Sequence, residues 1–407
     1  MASPSKERSD ASTGPHSFED VDLTSLDSGR QRFWLRPAAG LCLIALVIGG
    51  GMDTIHNDLD SITLAGTEIG ALDWMYGLSL LFVALVVVPP VVAAPERARR
   101  TLGRLRSRPL VAVAGCCLLV LVVVGTIYPS IAPEPRVRPL VSLQPPFWGE
   151  VSDVYVPTCH GPVVDGQCQG TFAYPLGTNG SGESLLNVSL RGLNTSLQVA
   201  VTAAVLAVTA GVVAGTVAGY VGGWLDELLM RYVDLQQSIP SFFVYVLLLL
   251  AVGRSYQLMI LVFGLLSWGG IARLVRSEVT QLRTAPFVKS AELSGANTPF
   301  VVVRHIFPNA SNTIVTAAAL LFAKFVVYES SLAFLSLTDT SVISLGNQIA
   351  SAVGRESADV TTPASGPLYD WGEVLWTVGV PVLILCSLLL VVSVLADGLR
   401  DVVDPRS

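Results

Sequence analysis

Charge is scarce in this chain of 407 residues: Asp, Glu, Lys and Arg together make up 14%, against 51% hydrophobic residues. An ordinary soluble domain carries about 25% charged residues, so that class is excluded. Lysine is almost missing, occurring only at Lys6, Lys289 and Lys324. Histidine occurs four times, at His16, His56, His160 and His305, too scattered for a metal-ligand or nucleophile constellation. No G-x-x-x-x-G-K-[ST] loop is present, so the chain does not cradle nucleotide phosphates in that known way. No small-residue cleavage pattern follows the first apolar run, and about 35 polar residues precede it. It therefore reads as a retained span rather than a signal peptide.

What is present is apolar length. Mean hydropathy is +0.60, and a spanning helix needs about 20 mostly apolar residues whose backbone groups satisfy one another. Eight spans are expected, near residues 37–52, 74–94, 109–131, 196–221, 240–253, 256–272, 312–336 and 375–396. The first 36 residues, rich in Ser, Asp and Glu, read as a disordered cytoplasmic tail. Arg and Lys beside spans set orientation. The segment ERARRTLGRLRSR, 96–108, holds six Arg against one Glu and is placed in the cytoplasm, whereas 53–73 has no Lys or Arg and lies outside. The net-basic loop 273–309 is again inside, so both termini are cytoplasmic. The acidic stretch 222–234 is placed inside by alternation alone. A formal charge of −6 with little Lys fits a high-salt cytoplasm, where screening shortens to about 3 Å at 1 M, or equally a genome that prefers Arg codons. Neither reading implies a nucleic-acid partner.

Cys159 and Cys168 bracket CHGPVVDGQC in the large outer loop 132–195. Disulfides persist outside the cell, and closing so short a loop stabilises by roughly 3 kcal/mol; a metal site with His160 and Asp165 is the competing reading, short of a second ligand pair. Asn179, Asn187 and Asn194 match the glycosylation acceptor pattern. Gly211, Gly215, Gly219 and Gly223 recur every four residues, a helix face on which a neighbour can approach closely.

Between two apolar stretches lies APFVKSAELSGANTPFVVVRHIFPN, 285–309. FVKSAELS forms a short helix that Gly295 stops. Asn297 or Thr298 caps a second piece with Pro299 in its first turn, and Pro308 ends it. Two short helices with a bend make either a docking surface or a solvated connector. The segment resembles the EAA loop of ABC-importer permeases, with Ala291, Gly295, Ile306 and Pro308 at the matching positions. YPLGTN at 174, AGYVGGWLDELLMRYVD at 218, SWGGIARLVRSEV at 267, ESSLAFLSL at 329 and ADGLRDVVDPR at 396 resemble the C-type subunit of dipeptide and oligopeptide importers, in order, over roughly 105–407. Lys289, Ser290 and Ala291 stand where the family has Glu-Ala-Ala, with Glu292 adjacent.

The resemblance implies an all-α polytopic membrane protein: a six-span core preceded by an extra hairpin, 37–108, that matches nothing in the family. A first core span with an outer segment, 109–195, leads into a permease core, 196–407, whose coupling loop is 277–309. It implies a B-type permease partner, two ABC ATPases that use ATP and magnesium, and an extracellular solute-binding protein. The chain itself would bind no cofactor and catalyse nothing. The solute would be a di- or oligopeptide, with nickel chelates, glutathione or sugars as family alternatives. Coupling would fall to Lys289, Ser290, Ala291, Glu292, Gly295, Ala296, Ile306 and Pro308. Glu329, which the family shares, and Lys324 lie in or near span seven, where ionisable groups are costly enough to be functional by default. Glu329 is expected in a structural or gate-lining role; Lys324 snorkels or faces a cavity. A gradient-driven transporter is the alternative class, but it calls for internal repeats with paired broken helices, and the sequence shows none clearly.

Overall fold

The computed structural model describes residues 62–64, 67–93, 108–354 and 375–403, with isolated positions at 49, 95 and 103. The expected tail 1–36, the span 37–52 and most of the basic segment 96–108 lie outside the described residues. Strands β1 (Ile62–Leu64) and β2 (Thr67–Ile69) pair antiparallel and lead into helix α1 (Ala71–Ala93), the described member of the extra hairpin. Asp73 caps it by accepting the Gly70 N–H at 3.1 Å. α1 presents Val86, Val87, Val88 and Val92 outward, as a lipid-facing helix does. It is nonetheless part of the bundle: Met75 and Tyr76 are buried in the main core. The Asp73 carboxylate accepts from Gln198 Nε2 at 2.7 Å.

α2 (Pro109–Ile131) is the second lipid-exposed span. After it comes the segment expected to lie outside, which carries a three-stranded sheet ordered β3 (Glu150–Ser152), β5 (Gln167–Gln169), β4 (Val163–Val164). Its turn YPLGTN, 174–179, is held by Thr178, whose hydroxyl donates to the Val141 carbonyl at 2.7 Å. α3 (Leu185–Val221) then runs for 37 residues through the centre of the bundle, starting eleven residues before the expected span because Asn187, Ser189, Thr195 and Ser196 are buried against protein rather than lipid.

Two expected spans take a different form. The acidic stretch 222–234 is not a connecting loop. Gly222 (φ +69°) and Gly223 (φ +63°) turn the chain into an amphipathic helix, α4 (Gly223–Ser238), which meets α5 (Ser241–Val252) at a 72° bend. Pro240 lacks an N–H and biases Ile239 away from helical geometry, which breaks the span there. α6 (Tyr256–Leu266) and α7 (Gly269–Arg283) together make one span of 28 residues, longer than the expected 256–272. Asp226 and Asp234 of α4 pair with Arg276 and Arg273 of α7, so the acids that seemed out of place lie beside their counter-charges.

α8 (Pro286–Leu293) and α9 (Thr298–Val301) form the bent loop. A five-residue π turn, Val302–Ile306, joins α9 to α10 (Phe307–Phe334). Pro308 therefore does not end the second piece as expected: it sits in the first turn of α10, directly after the π turn, and the chain continues helical through it. α11 (Leu345–Ala352) and α12 (Leu375–Val403) complete the chain. Among the described residues six helices are long and apolar enough to span a membrane, and the bent α4–α5 pair makes a seventh. Six of these seven form the core, and α1 is additional.

Candidate coupling loop and membrane cavity

α7 carries the loop on its last turn. Ala285 lies in the extended region and Pro286 starts α8. α8 is amphipathic, burying Val288 while Lys289, Ser290, Glu292 and Leu293 are exposed. It ends in a Schellman turn, with the Ala296 N–H on the Ala291 carbonyl at 3.1 Å and the Gly295 N–H on the Glu292 carbonyl at 2.9 Å. Gly295 adopts φ +84° with open space where a Cβ would be, so glycine serves conformation there, not packing. Asn297 restarts the helix by accepting the Phe300 N–H at 3.1 Å. The inner faces of α8, α9 and the π turn, with Val288, Ala291, Ala296, Val301 and Ile306, pack on Val275, Val279 and Leu282 of α7.

Two polar contacts tie the loop to the end of α3. The Tyr220 hydroxyl donates to Glu292 Oε1 at 2.8 Å, and Arg283 Nη1 donates to the Tyr220 carbonyl at 2.6 Å. What the loop leaves exposed is partly apolar: Leu293 is 90% exposed, and Phe287 and Phe300 about half. His305 sits beside both rings, with centroids at 6.2 and 6.0 Å.

The glycine face of α3 meets α7. Cβ atoms built at Gly211, Gly215 and Gly219 would lie 2.6 Å from Ile271 Cβ, 2.4 Å from the Ala272 carbonyl oxygen and 2.8 Å from the Arg276 carbonyl oxygen. The neighbour admitted by these glycines belongs to this chain. Gly223 is not on that face; it lies past the end of α3 as the first residue of α4, with nothing within 4 Å of a built Cβ.

Above the loop, the α4–α5 bend and the α6–α7 junction face α10 across a cavity of about 580 Å³ lined by Gln236, Ser241, Ser267, Gly269, Lys324 and Tyr328, among others. Lys324 Nζ stands 5.1 Å from the Tyr328 ring centroid. Glu329 does not line this cavity. It is fully buried, and its carboxyl accepts from Ser344 at 2.6 Å, Ser196 at 2.7 Å and Ser330 at 3.1 Å. The Ser344 hydroxyl also accepts the Gly346 N–H at the start of α11. The gate-lining reading of Glu329 gives way to a structural one, a knot joining α3, α10 and α11. No residue periodicity announces Ser196 and Ser344 as its partners.

In the outer segment Cys159 and Cys168 are bonded to each other, which removes the metal reading. Two of the acceptor-pattern asparagines are engaged elsewhere. Asn187 is buried in α3, where its amide donates to the Pro133 carbonyl, and Asn194 also lies within that helix. The Asn179 amide donates to Glu183 while its oxygen caps Ser181 and Glu183. A bulky glycan needs a free surface side chain, which Asn179 and Asn187 do not offer.

A polytopic helical bundle with a broken span, a membrane cavity and a bent amphipathic loop at one end defines a membrane transport component. Residues 211–407 match the family model described as binding-protein-dependent transport system inner membrane component. The oligopeptide transport system permease protein OppC of Salmonella typhimurium is 36% identical over 230 residues, covering 56% of this chain and 72% of that protein. The same-named protein of Mycobacterium bovis is 32% identical over 235 residues, 57% and 76% of the two chains. The dipeptide transport system permease protein DppC of Lactococcus lactis is 27% identical over 235 residues, 58% and 64%. The chain belongs to the family of binding-protein-dependent transport system inner membrane components.

Proposed function

We propose that this chain is one of two permease subunits of an ATP-driven importer and that it passes di- or oligopeptides inward, the solute class named for its relatives. The loop end of the bundle faces the cytoplasm and the disulfide-bearing end faces outward, with both termini inside. A B-type permease completes the channel, an extracellular binding protein delivers solute to the outer segment, and two ATPases bind the loops and consume ATP with magnesium. The chain binds no cofactor and catalyses nothing.

The observation that carries this reading is the divided face of 285–306. One side is buried on α7, and the other offers Phe287, Leu293 and Phe300 to solvent. Exposed apolar groups clustered on a short helix mark an interaction site rather than a solvated connector. In this reading α8 seats in a groove of the ATPase. Gly295 fixes the bend, while Ala291, Ala296 and Ile306 hold the loop to α7 and Pro308 starts the helix that leads back into the membrane. Lys289 and Ser290 are presented outward, so a carboxylate is the complement expected on the ATPase opposite Lys289. Glu292 is shared with Tyr220 and serves to hold the loop to α3.

Purification in native lipid followed by identification of co-purifying chains tests the assembly. An ATPase and a second permease are expected, and recovery of the chain without any ATPase sinks the proposal. Gly295→Pro, whose ring fixes φ near −65°, is expected to insert normally and abolish uptake coupled to ATP hydrolysis.

A further inference from the structure

α4 has two apolar sides, and the bundle uses only one of them. The side turned to α7 holds Val233 and Gln236, both buried, and a Cβ built on Gly269 of α7 would lie 3.0 Å from Val233 Cγ1. Asp226 and Asp234 fasten the same two helices through Arg276 and Arg273. Away from α7 stand Trp224, Leu228, Tyr232 and Leu235, all exposed, Trp224 by 74%. At 3.6 residues per turn these four fall within an arc of about 80°, and Ile239, exposed at the joint with α5, continues the line. Tyr232 is held in place by stacking on Trp268 at the α6–α7 junction, with ring centroids 5.6 Å apart.

Neither lipid nor water suits this stripe. Glu227 and Arg231 pair with each other along its border, their side chains 64% and 75% exposed, and ionised groups are costly against hydrocarbon. By contrast the exposed Phe243, Leu247 and Leu250 belong to α5, a helix without a charge, as lipid requires. In water, a contiguous apolar stripe rimmed by polar groups marks an interaction site. The border charges have both signs, so the complementary face carries a cation and a carboxylate of its own. The reach of the partner is set by the ends of the stripe. α4 starts beside the end of α3, where Tyr220 meets the coupling loop, and Ile239 lines the membrane cavity. From Trp224 to Ile239 the line rises about 22 Å at 1.5 Å per residue. A soluble protein at the loop end meets only its lower part, whereas a membrane-embedded subunit lies beside all of it.

We propose that the stripe of Trp224, Leu228, Tyr232, Leu235 and Ile239 is the seat of the second permease subunit, whose apolar ridge lies along it and whose charged side chains answer Glu227 and Arg231. The inference rests on the two-permease reading and adds to it the face by which this chain meets the other. Ile239 belongs both to the stripe and to the cavity wall. A subunit seated on α4 therefore extends that wall, and the cavity becomes a space between two chains rather than a recess in one.

The test uses the co-purified assembly in nanodiscs. The photoreactive residue p-benzoylphenylalanine replaces Leu228 or Leu235 and, as a lipid-facing reference, Val87 of α1, which is also exposed. Adducts formed on irradiation are identified by mass spectrometry. Adducts with the second permease are expected to be at least fivefold more abundant from positions 228 and 235 than from 87. Yields equal to the reference, or adducts chiefly with lipid, an ATPase or a second copy of this chain, overturn the proposal. An independent variant, Leu228→Glu, changes a side chain that the bundle does not use. It is expected to lower the second permease recovered with this chain at least fivefold while the chain itself stays monodisperse, and Leu228→Met to leave recovery as in wild type; undiminished recovery with Leu228→Glu overturns the proposal. Wild type recovered with neither a second permease nor an ATPase refutes the importer reading itself, whereas a complete assembly without the adducts refutes the seat alone.

Discussion

Glu329 and Ser344 touch at 2.6 Å across fifteen residues of chain, and through that contact the end of α10 is fastened to the start of α11. Ser196 of α3 reaches the other carboxyl oxygen at 2.7 Å. Three helices thus converge on one side chain that has no exposure at all. Removing it leaves three hydroxyls without an acceptor, whereas an amide keeps one acceptor oxygen. Glu329→Leu is therefore expected to lower stability by on the order of 2 kcal/mol or more, and Glu329→Gln by less. Thermal unfolding of purified protein, followed by loss of monodispersity, checks the order. Equal midpoints for wild type and Glu329→Leu would show that the knot contributes nothing.

The glycine face makes a paired prediction. Gly215→Leu places side-chain atoms where the Ala272 carbonyl oxygen now lies, 2.4 Å from the built Cβ. Overpacking of this kind costs about 1–3 kcal/mol and should separate α3 from α7. Gly223→Ala meets no atom and should cost only the left-handed backbone, roughly 1–2 kcal/mol. Cross-linking of cysteines introduced on α3 and α7 distinguishes the two: efficiency should fall in Gly215→Leu and hold in Gly223→Ala.

At Gly295 the demand is conformational. A graded series is expected in which Gly295→Asn, a residue that visits positive φ, keeps most coupling, and the β-branched Gly295→Val keeps little. The readout is peptide uptake per ATP hydrolysed by the reconstituted complex. Indistinguishable coupling ratios for Asn and Val would mean that the bend does not matter.

The Cys159–Cys168 bond closes the turn that carries β4 and β5. Its removal by Cys159→Ser with Cys168→Ser is expected to cost the outer segment about 3 kcal/mol while the membrane helices stay folded. Limited proteolysis from the outer side should then cut near 150–170, with or without reductant. Wild type should need reductant to be cut there.

Spans 109–131 and 375–396 were legible because lipid-facing helices are apolar all round: α2 has the expected bounds, and α12 starts at the expected residue and runs on to Val403. The start of α3 was not, since its first turns pack against protein and carry Asn187, Ser189 and Ser196, which hydropathy reads as loop. The α4–α5 break was hidden for a related reason. Asp226 and Asp234 look like a hydrophilic connection until Arg276 and Arg273, about forty to fifty residues later in sequence, are seen to lie against them. Local signals served the coupling loop well: Gly295 as a stop and Asn297 as a cap are chemistry within a few residues. Pro308 misled, because a proline that closes one element is written the same way as one that opens the next. The cavity was invisible, because Gln236, Gly269 and Lys324 come from three helices and no periodicity joins them.

The same α7 rod has Gly269 at the cavity and Arg283 at the loop, and along it three glycines of α3 rest directly on α7 backbone and side-chain atoms. Side-chain layers between helices usually absorb small displacements by changing rotamers; here there is almost no such layer. A shift imposed on the loop can neither be taken up as slip between these two helices nor stay local. It arrives at the cavity mouth as a movement of the whole α3–α7 pair, so the stiffness of one seam sets how faithfully events at one end are felt at the other.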